Sequence, residues 1–90
     1  MFIYAVRWIK RIDGEEECGN FEVCYTDNDK ARKAMLADME DTKKDWEKDE
    51  TVFTNFGDGS GDYCGIYIGH GTYDYIDWYV DKLEVNSMTS

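Results

Sequence analysis

The stretch FIYAVRWIKRIDGEEECGNFEVCY, residues 2–25, decides the fold because it predicts a β-hairpin in one register. Asp13-Gly14 is a strong two-residue turn signal, since glycine tolerates the positive φ of a type I′ turn. A turn there sets the pairs nearest the tip: Ile12–Glu15, Arg11–Glu16 and Lys10–Glu17. The last two pairs join opposite charges across the strands, which stabilises the register.

The same register also gathers the large apolar side chains of the hairpin on one face. Trp8 covers Gly19 on that face, and three further pairs follow it down the strands: Val6–Phe21, Tyr4–Val23 and Phe2–Tyr25. Charge and hydrophobicity are therefore satisfied together, and we expect this face to become half of the core.

A helix is predicted after the hairpin, because residues 29–50 contain neither glycine nor proline and Thr26 to Asn28 offer N-cap candidates. One stripe repeats at spacings of four, four, three and four: Ala31, Met35, Met39, Thr42 and Trp46. We expect this stripe to pack on the apolar face of the hairpin. Four aspartates gather along one flank of the stripe: Asp38, Asp41, Asp45 and Asp49.

Three strands are predicted beyond the helix. TVFTNF (51–56) alternates, the Gly-rich loop GDGSG (57–61) leads to YCGIYIG (63–69), and HGT (70–72) turns the chain into a last segment that ends near Val85. The predicted fold class is α+β, a single domain over 1–86 in ββαβββ order, with one helix on a mostly antiparallel sheet. Residues 87–90 are expected to form a frayed tail.

The last segment, GTYDYIDWYVDKL (71–83), fits two periodicities. As a helix it would line up four acids: Asp74, Asp77, Asp81 and Glu84. Its content of Thr, Tyr, Ile, Trp and Val favours a strand. In a strand Ile76, Trp78 and Val80 point into the core, whereas the opposite face alternates Tyr75, Asp77, Tyr79 and Asp81.

The charge of the chain limits its partners. Twenty acids against ten bases give a net charge of −10, which disfavours nucleic acids and anionic membranes and favours basic proteins. Residues 51–90 hold only Lys82 among Lys and Arg, but six acids: Asp58, Asp62, Asp74, Asp77, Asp81 and Glu84. Most of these acids lack basic neighbours in the sequence, so we expect them to be available to a partner. Solubility alone is the alternative explanation of the acidity.

No catalytic, cofactor or metal signature stands out. A calcium loop starting at Asp58 would place Tyr63 and Gly69 at its sixth and twelfth positions, where glycine and a carboxylate are required. Cys18–Cys24 and Cys64–His70 have six-residue spacings, which separate strand positions by about 20 Å, too far for one zinc ion. No cofactor is expected, and an enzyme is the least favoured class. Three cysteines, an odd number, indicate reduced thiols and a cytoplasmic protein.

The leading hypothesis is a small binding protein that occupies the basic surface of another protein. In its sharpest form the protein mimics nucleic acid, with carboxylates of the last strand, the Asp58–Asp62 loop and the helix flank in place of phosphates. This small acidic profile resembles that of phage-encoded inhibitors of host defence, anti-CRISPR proteins among them. The alternatives are a regulatory or assembly domain, such as a homodimer that joins sheet edges, and then an enzyme or small-ligand binder.

Overall fold

The computed structural model describes residues 1–68 and 74–85. Its elements are β1 (Phe2–Ile12), β2 (Glu15–Asn20), α1 (Asn28–Trp46), β3 (Val52–Asn55), β4 (Tyr63–Ile68) and β5 (Tyr75–Glu84). The predicted α+β class and the ββαβββ order are confirmed. The predicted turn at 70–72 and the predicted tail at 87–90 lie outside the described residues.

The five strands form one sheet in the order β2-β1-β5-β4-β3, with every neighbouring pair antiparallel. β5 lies in the middle, where it pairs with β1 from Phe2–Glu84 to Arg11–Tyr75 and with β4 on its other side. The segment that fitted two periodicities is therefore the central strand of the fold. β2 and β3 are the edge strands.

The hairpin register is confirmed from its tip to Trp8–Gly19. Asp13 and Gly14 both have positive φ, 52° and 82°, as a type I′ turn requires. The predicted Val6–Phe21 pair also holds, since the backbone N–H of Phe21 donates a 2.9 Å hydrogen bond to the carbonyl oxygen of Val6. The register predicted beyond Phe21 is wrong, because Tyr25 rather than Val23 bonds to Tyr4, through reciprocal backbone hydrogen bonds of 2.7 and 2.8 Å.

The predicted Phe2–Tyr25 pair is wrong for the same reason. The chain loops away from the sheet between Phe21 and Tyr25, so Tyr25 packs against the core while Val23 remains 58% exposed. Phe2 is instead paired with Glu84 of β5. The larger apolar surface of Tyr25 explains why it, and not Val23, reaches the core.

The helix begins behind Asp27, whose side chain accepts a 2.8 Å hydrogen bond from the backbone N–H of Asp29. Its predicted stripe is confirmed, since Ala31, Met35 and Met39 are fully buried and Trp46 packs against the core. The sheet contributes the other buried side chains of the core cluster: Val6, Cys64, Ile66, Ile76 and Trp78. The helix covers one face of the sheet only, and the opposite face is called the outer face below.

Candidate functional site

The two predicted faces of β5 are confirmed. Ile76 and Trp78 are buried and Val80 packs against the core on the helix side. Side chains alternate along a strand, so the four predicted partner-binding residues share the outer face: Tyr75, Asp77, Tyr79 and Asp81. Each of these four is partly exposed.

The outer face carries more aromatic surface than β5 alone provides. Register with β4 and β3 adds three further side chains that the sequence analysis did not assign to it: Phe53, Tyr63 and Tyr67. The Tyr63 and Tyr79 rings lie 5.1 Å apart, and Phe53 stacks on Tyr67 at 5.4 Å. The alternation of tyrosines in YCGIYI was the signal that could have revealed this array.

Asp77 lies at the centre of these rings and is held by the sheet itself. The Tyr63 hydroxyl donates a 2.6 Å hydrogen bond to Oδ1 of Asp77. Burial, followed by this hydrogen bond, raises the pKa of Tyr63. Gly65, paired with Asp77, leaves the space in which the two polar groups meet.

Asp81 and Asp62 are also engaged within the chain, so the expectation that these acids lack basic neighbours is wrong. Arg7 Nε lies 2.9 Å from Asp81 Oδ2, and the Arg7 guanidinium lies 4.4 Å from the centre of the Tyr79 ring. The hydrogen bond to Asp81 raises the pKa of Arg7. Arg32 Nε lies 2.9 Å from Asp62 Oδ1. Pairing of β1 with β5 supplies Arg7, and packing of the helix supplies Arg32, so counting charges along the sequence misses both bases.

The remaining predicted site residues lie apart from one another. The side chain of Asp58 accepts a hydrogen bond from the backbone N–H of Ser60, which lowers the pKa of Asp58 and closes a local turn. Asp74 and Glu84 lie at opposite ends of β5, about 30 Å apart at the usual strand rise. The eight predicted residues therefore do not form one continuous patch.

The described part of the chain offers little support for thiol chemistry. Cys18 and Cys24 are exposed and Cys64 is buried. Burial raises the pKa of Cys64 to about 12, so its reactive thiolate is scarce at neutral pH. His70, the candidate base for Cys64, lies outside the described residues.

A different cluster of acids emerges where the end of the helix meets the start of β5. We call it the acidic groove, a depression of about 300 Å³ lined by three apolar and four acidic side chains: Ile12, Trp46, Ile68, Asp45, Asp49, Glu50 and Asp74. Asp74 also accepts a 2.9 Å hydrogen bond from the backbone N–H of Asp13. The end of the helix and the residue just before β5 thus bring acids from separate parts of the chain together.

Two acids of the groove have no basic partner among the residues that the structure describes. Oδ1 of Asp45 lies 3.6 Å from Nζ of Lys48. Asp49 and Glu50 form no ion pair with any residue in 1–68 or 74–85. Of these groove residues, Asp74 was predicted from the sequence as a site residue, and Asp45 and Asp49 were predicted to lie on the helix flank. Glu50 was not predicted, because only the three-dimensional fold shows that the residues after the helix turn toward β5.

No protein-family model, curated protein or solved structure matches this chain. The site must therefore be interpreted from its own chemistry. Within the described residues, no helix has the length and apolar character needed to cross a bilayer.

Proposed function

We propose that this protein binds a basic surface of another protein through the acidic groove and thereby blocks that surface. The observation that carries the proposal is the convergence of Asp45, Asp49, Glu50 and Asp74 around apolar side chains. Apolar contact area beside Asp49 and Glu50, which have no ion-pair partner within 1–68 and 74–85, suits a partner that presents lysine and arginine around a small apolar patch.

Three of these acids, Asp45, Asp49 and Glu50, lie where the helix dipole disfavours negative charge. The C-terminal end of a helix carries partial negative charge and is stabilised by cations. Asp45 lies in the last turn and Asp49 and Glu50 lie just beyond it, whereas Lys43 and Lys44 of the last turn do not line the groove. Acids that oppose the helix dipole are accounted for by a basic partner that neutralises them in the complex.

In its sharpest form, the partner is a nucleic-acid-binding protein and the carboxylates take the place of phosphates. The net charge of −10 supports this form, because it repels nucleic acid itself and attracts proteins that bind it. Such a protein would act as an inhibitor, as phage-encoded anti-CRISPR proteins do. Three free cysteines, an odd number, support a reducing compartment such as the cytoplasm.

The structure changes which residues should be altered to test the proposal. Asp77 and Asp81 are bonded to Tyr63 and Arg7, so neutralising them would perturb the sheet as well as its charge. Asp49 and Glu50 are exposed and unpaired among the described residues, so their replacement leaves the fold intact. The variant pair Asp49→Asn with Glu50→Gln is therefore the cleaner probe.

The experiment is a pull-down from cell lysate with quantitative mass spectrometry. Wild type is compared with the Asp49→Asn/Glu50→Gln pair and with a control pair, Glu22→Gln/Glu40→Gln, which removes the same charge from exposed positions outside the groove. We expect a basic protein that wild type and the control capture and the groove pair does not. Equal capture by all three baits would contradict the proposal.

A homodimer is the second candidate function, and β3 favours it. This edge strand carries Phe53, 45% exposed, and is followed by Phe56, 48% exposed. Unpaired edges with apolar side chains are ready to pair with another strand. Light scattering would show a mass that doubles with concentration and returns to the monomer in Phe53→Lys. A constant monomer mass at millimolar concentration would exclude this candidate.

A further inference from the structure

All three tryptophans of the chain line a second cavity. Trp46 of the helix, Trp8 of β1 and Trp78 of β5 surround a space of about 370 Å³ on the helix side of the sheet. The helix packs over the middle of the sheet and leaves this space beside β1. We call it the tryptophan pocket.

A carboxylate is fixed in the wall of this pocket. Nε1 of Trp78, a fully buried side chain, donates a 2.8 Å hydrogen bond to Oδ2 of Asp38. Asp38 forms no ion pair with any residue of the described ranges, since Lys10, which also lines the pocket, pairs with Glu17 instead. The pocket thus combines indole rings with one negative charge held in place.

The indole of Trp8, which lines the pocket, packs directly against the backbone of Gly19. A Cβ on Gly19 would lie 2.7 Å from Cζ2 of Trp8, so the indole rests directly over the glycine. The Nζ atom of Lys10 lies 5.8 Å from the centre of a Trp8 ring and 3.8 Å from Glu17. An ammonium of the chain itself is therefore already accommodated over this indole, at the rim of the pocket.

We propose that the tryptophan pocket binds the side chain of an arginine presented by the basic partner. The negative faces of aromatic rings attract cations, and indole attracts them best among the side chains. The carboxylate of Asp38 would repel an anionic ligand. An apolar ligand would bury this carboxylate without a counter-charge, which is unfavourable.

Arginine fits this chemistry better than lysine. Its planar guanidinium stacks on indole and at the same time donates hydrogen bonds in its own plane. A lysine ammonium is more strongly hydrated, so it loses more hydration free energy when it enters the pocket. In the pocket, the plane would lie against an indole while an edge N–H reaches the carboxylate of Asp38.

The pocket adjoins the acidic groove, because Ile12 and Trp46 line both. An arginine in the pocket would place the residues that flank it over the groove. In assigning the arginine to a protein partner, the inference rests on the proposed function. The chemistry of the pocket can nevertheless be tested without that partner.

The test uses an acetylated and amidated glycine–arginine–glycine peptide as the probe, and the same peptide with citrulline as its uncharged match. Binding is followed through tryptophan fluorescence and through the indole N–H signals of the three tryptophans in NMR spectra. We expect the arginine peptide to bind at least about tenfold more tightly than the citrulline peptide, and to shift all three indole signals.

Two matched variants locate the charge that matters. In Asp38→Asn the amide oxygen can still accept the hydrogen bond from Trp78, and an unchanged indole N–H signal of Trp78 would show this. The variant should nevertheless lose the preference for the arginine peptide over the citrulline peptide. Asp41→Asn removes the same charge from an exposed position on the same helix and should keep that preference. Equal binding of both peptides to wild type, or an unchanged preference in Asp38→Asn, would overturn the assignment.

The result also separates this inference from the proposed function. The Asp49→Asn/Glu50→Gln pair should retain the arginine peptide, because neither residue lines the tryptophan pocket. Peptide binding without any captured basic protein would leave the pocket assignment standing and contradict the proposed function. If the protein captures a basic partner but does not bind the arginine peptide, the proposed function would stand and the pocket assignment would be contradicted.

Discussion

The Tyr63 hydroxyl donates a 2.6 Å hydrogen bond to Asp77 across the backbone of Gly65. A Cβ on Gly65 would lie 2.6 Å from Oδ1 of Asp77 and 2.7 Å from the Tyr63 hydroxyl oxygen, so the glycine is what allows the two groups to meet. The acid at the centre of the outer face is therefore part of the sheet's own bonding. This relationship separates the stabilising role of the outer face from the binding role that we assign to the acidic groove.

Replacing Tyr63 with phenylalanine should lower the free energy of unfolding by about 1 kcal/mol, because a partly buried carboxylate loses its donor. Urea unfolding measures the change. Tyr67→Phe is the control, since the hydroxyl of Tyr67 bonds to no group in the described ranges, and it should change stability by less than about 0.5 kcal/mol. Equal effects of the two variants would contradict this assignment.

Adding one methyl group at Gly65 should destabilise the fold by about 1–3 kcal/mol, through crowding of Asp77 and Tyr63. Those two polar atoms are the nearest to the added methyl group. The loss of unfolding free energy caused by Gly65→Ala should therefore be smaller in a Tyr63→Phe/Asp77→Ala background. The comparison is a double-mutant cycle in urea. Additive losses would show that the strand backbone, and not this contact, requires the glycine.

Stability should decline at alkaline pH. Burial raises the pKa of Cys64 from 9.0 to about 12 and that of Tyr63 upward from 10.0, so the fold holds both groups protonated where the unfolded chain ionises them. Their contribution is complete below the unfolded pKa values and is lost as pH rises toward the folded ones. The free energy of unfolding should fall by up to about 1.4 kcal/mol per pH unit for each such group.

Urea unfolding at pH 8 to 11 measures this slope in wild type and in Cys64→Ala. The variant starts from a lower stability because it leaves a small cavity, but its slope above pH 9 should be shallower than that of wild type. The prediction is therefore tested by the slope of unfolding free energy against pH, and not by the stability at pH 8. A wild-type stability that stays constant up to pH 11 would contradict the predicted linkage.

The sequence predicted the features that depend on neighbours along the chain or on simple alternation. The Asp13-Gly14 turn predicted the register as far as Val6–Phe21, and alternation separated Ile76 and Trp78 from Tyr75 and Asp77. Both predictions rest on local geometry, in which a turn type or a period of two has one outcome.

The partners of the acids could not be predicted in the same way. Arg7 and Asp81 are 74 positions apart, and they meet only because β5 pairs with β1 in the centre of the sheet. The acidic groove has a similar origin, since Asp74, just before the last strand, meets the helix terminus through tertiary packing. The loop at Val23 was missed because the competition between Val23 and Tyr25 for the core is decided by that packing too.

The most direct test of the central claim is the affinity of the captured basic partner for three forms of this protein, measured by isothermal titration. The Asp49→Asn/Glu50→Gln pair should raise the Kd at least about tenfold, and Glu22→Gln/Glu40→Gln should change it less than about twofold. A nucleic-acid ligand of the partner should compete with wild type. If the groove pair binds as tightly as wild type, the acidic groove is not the binding surface.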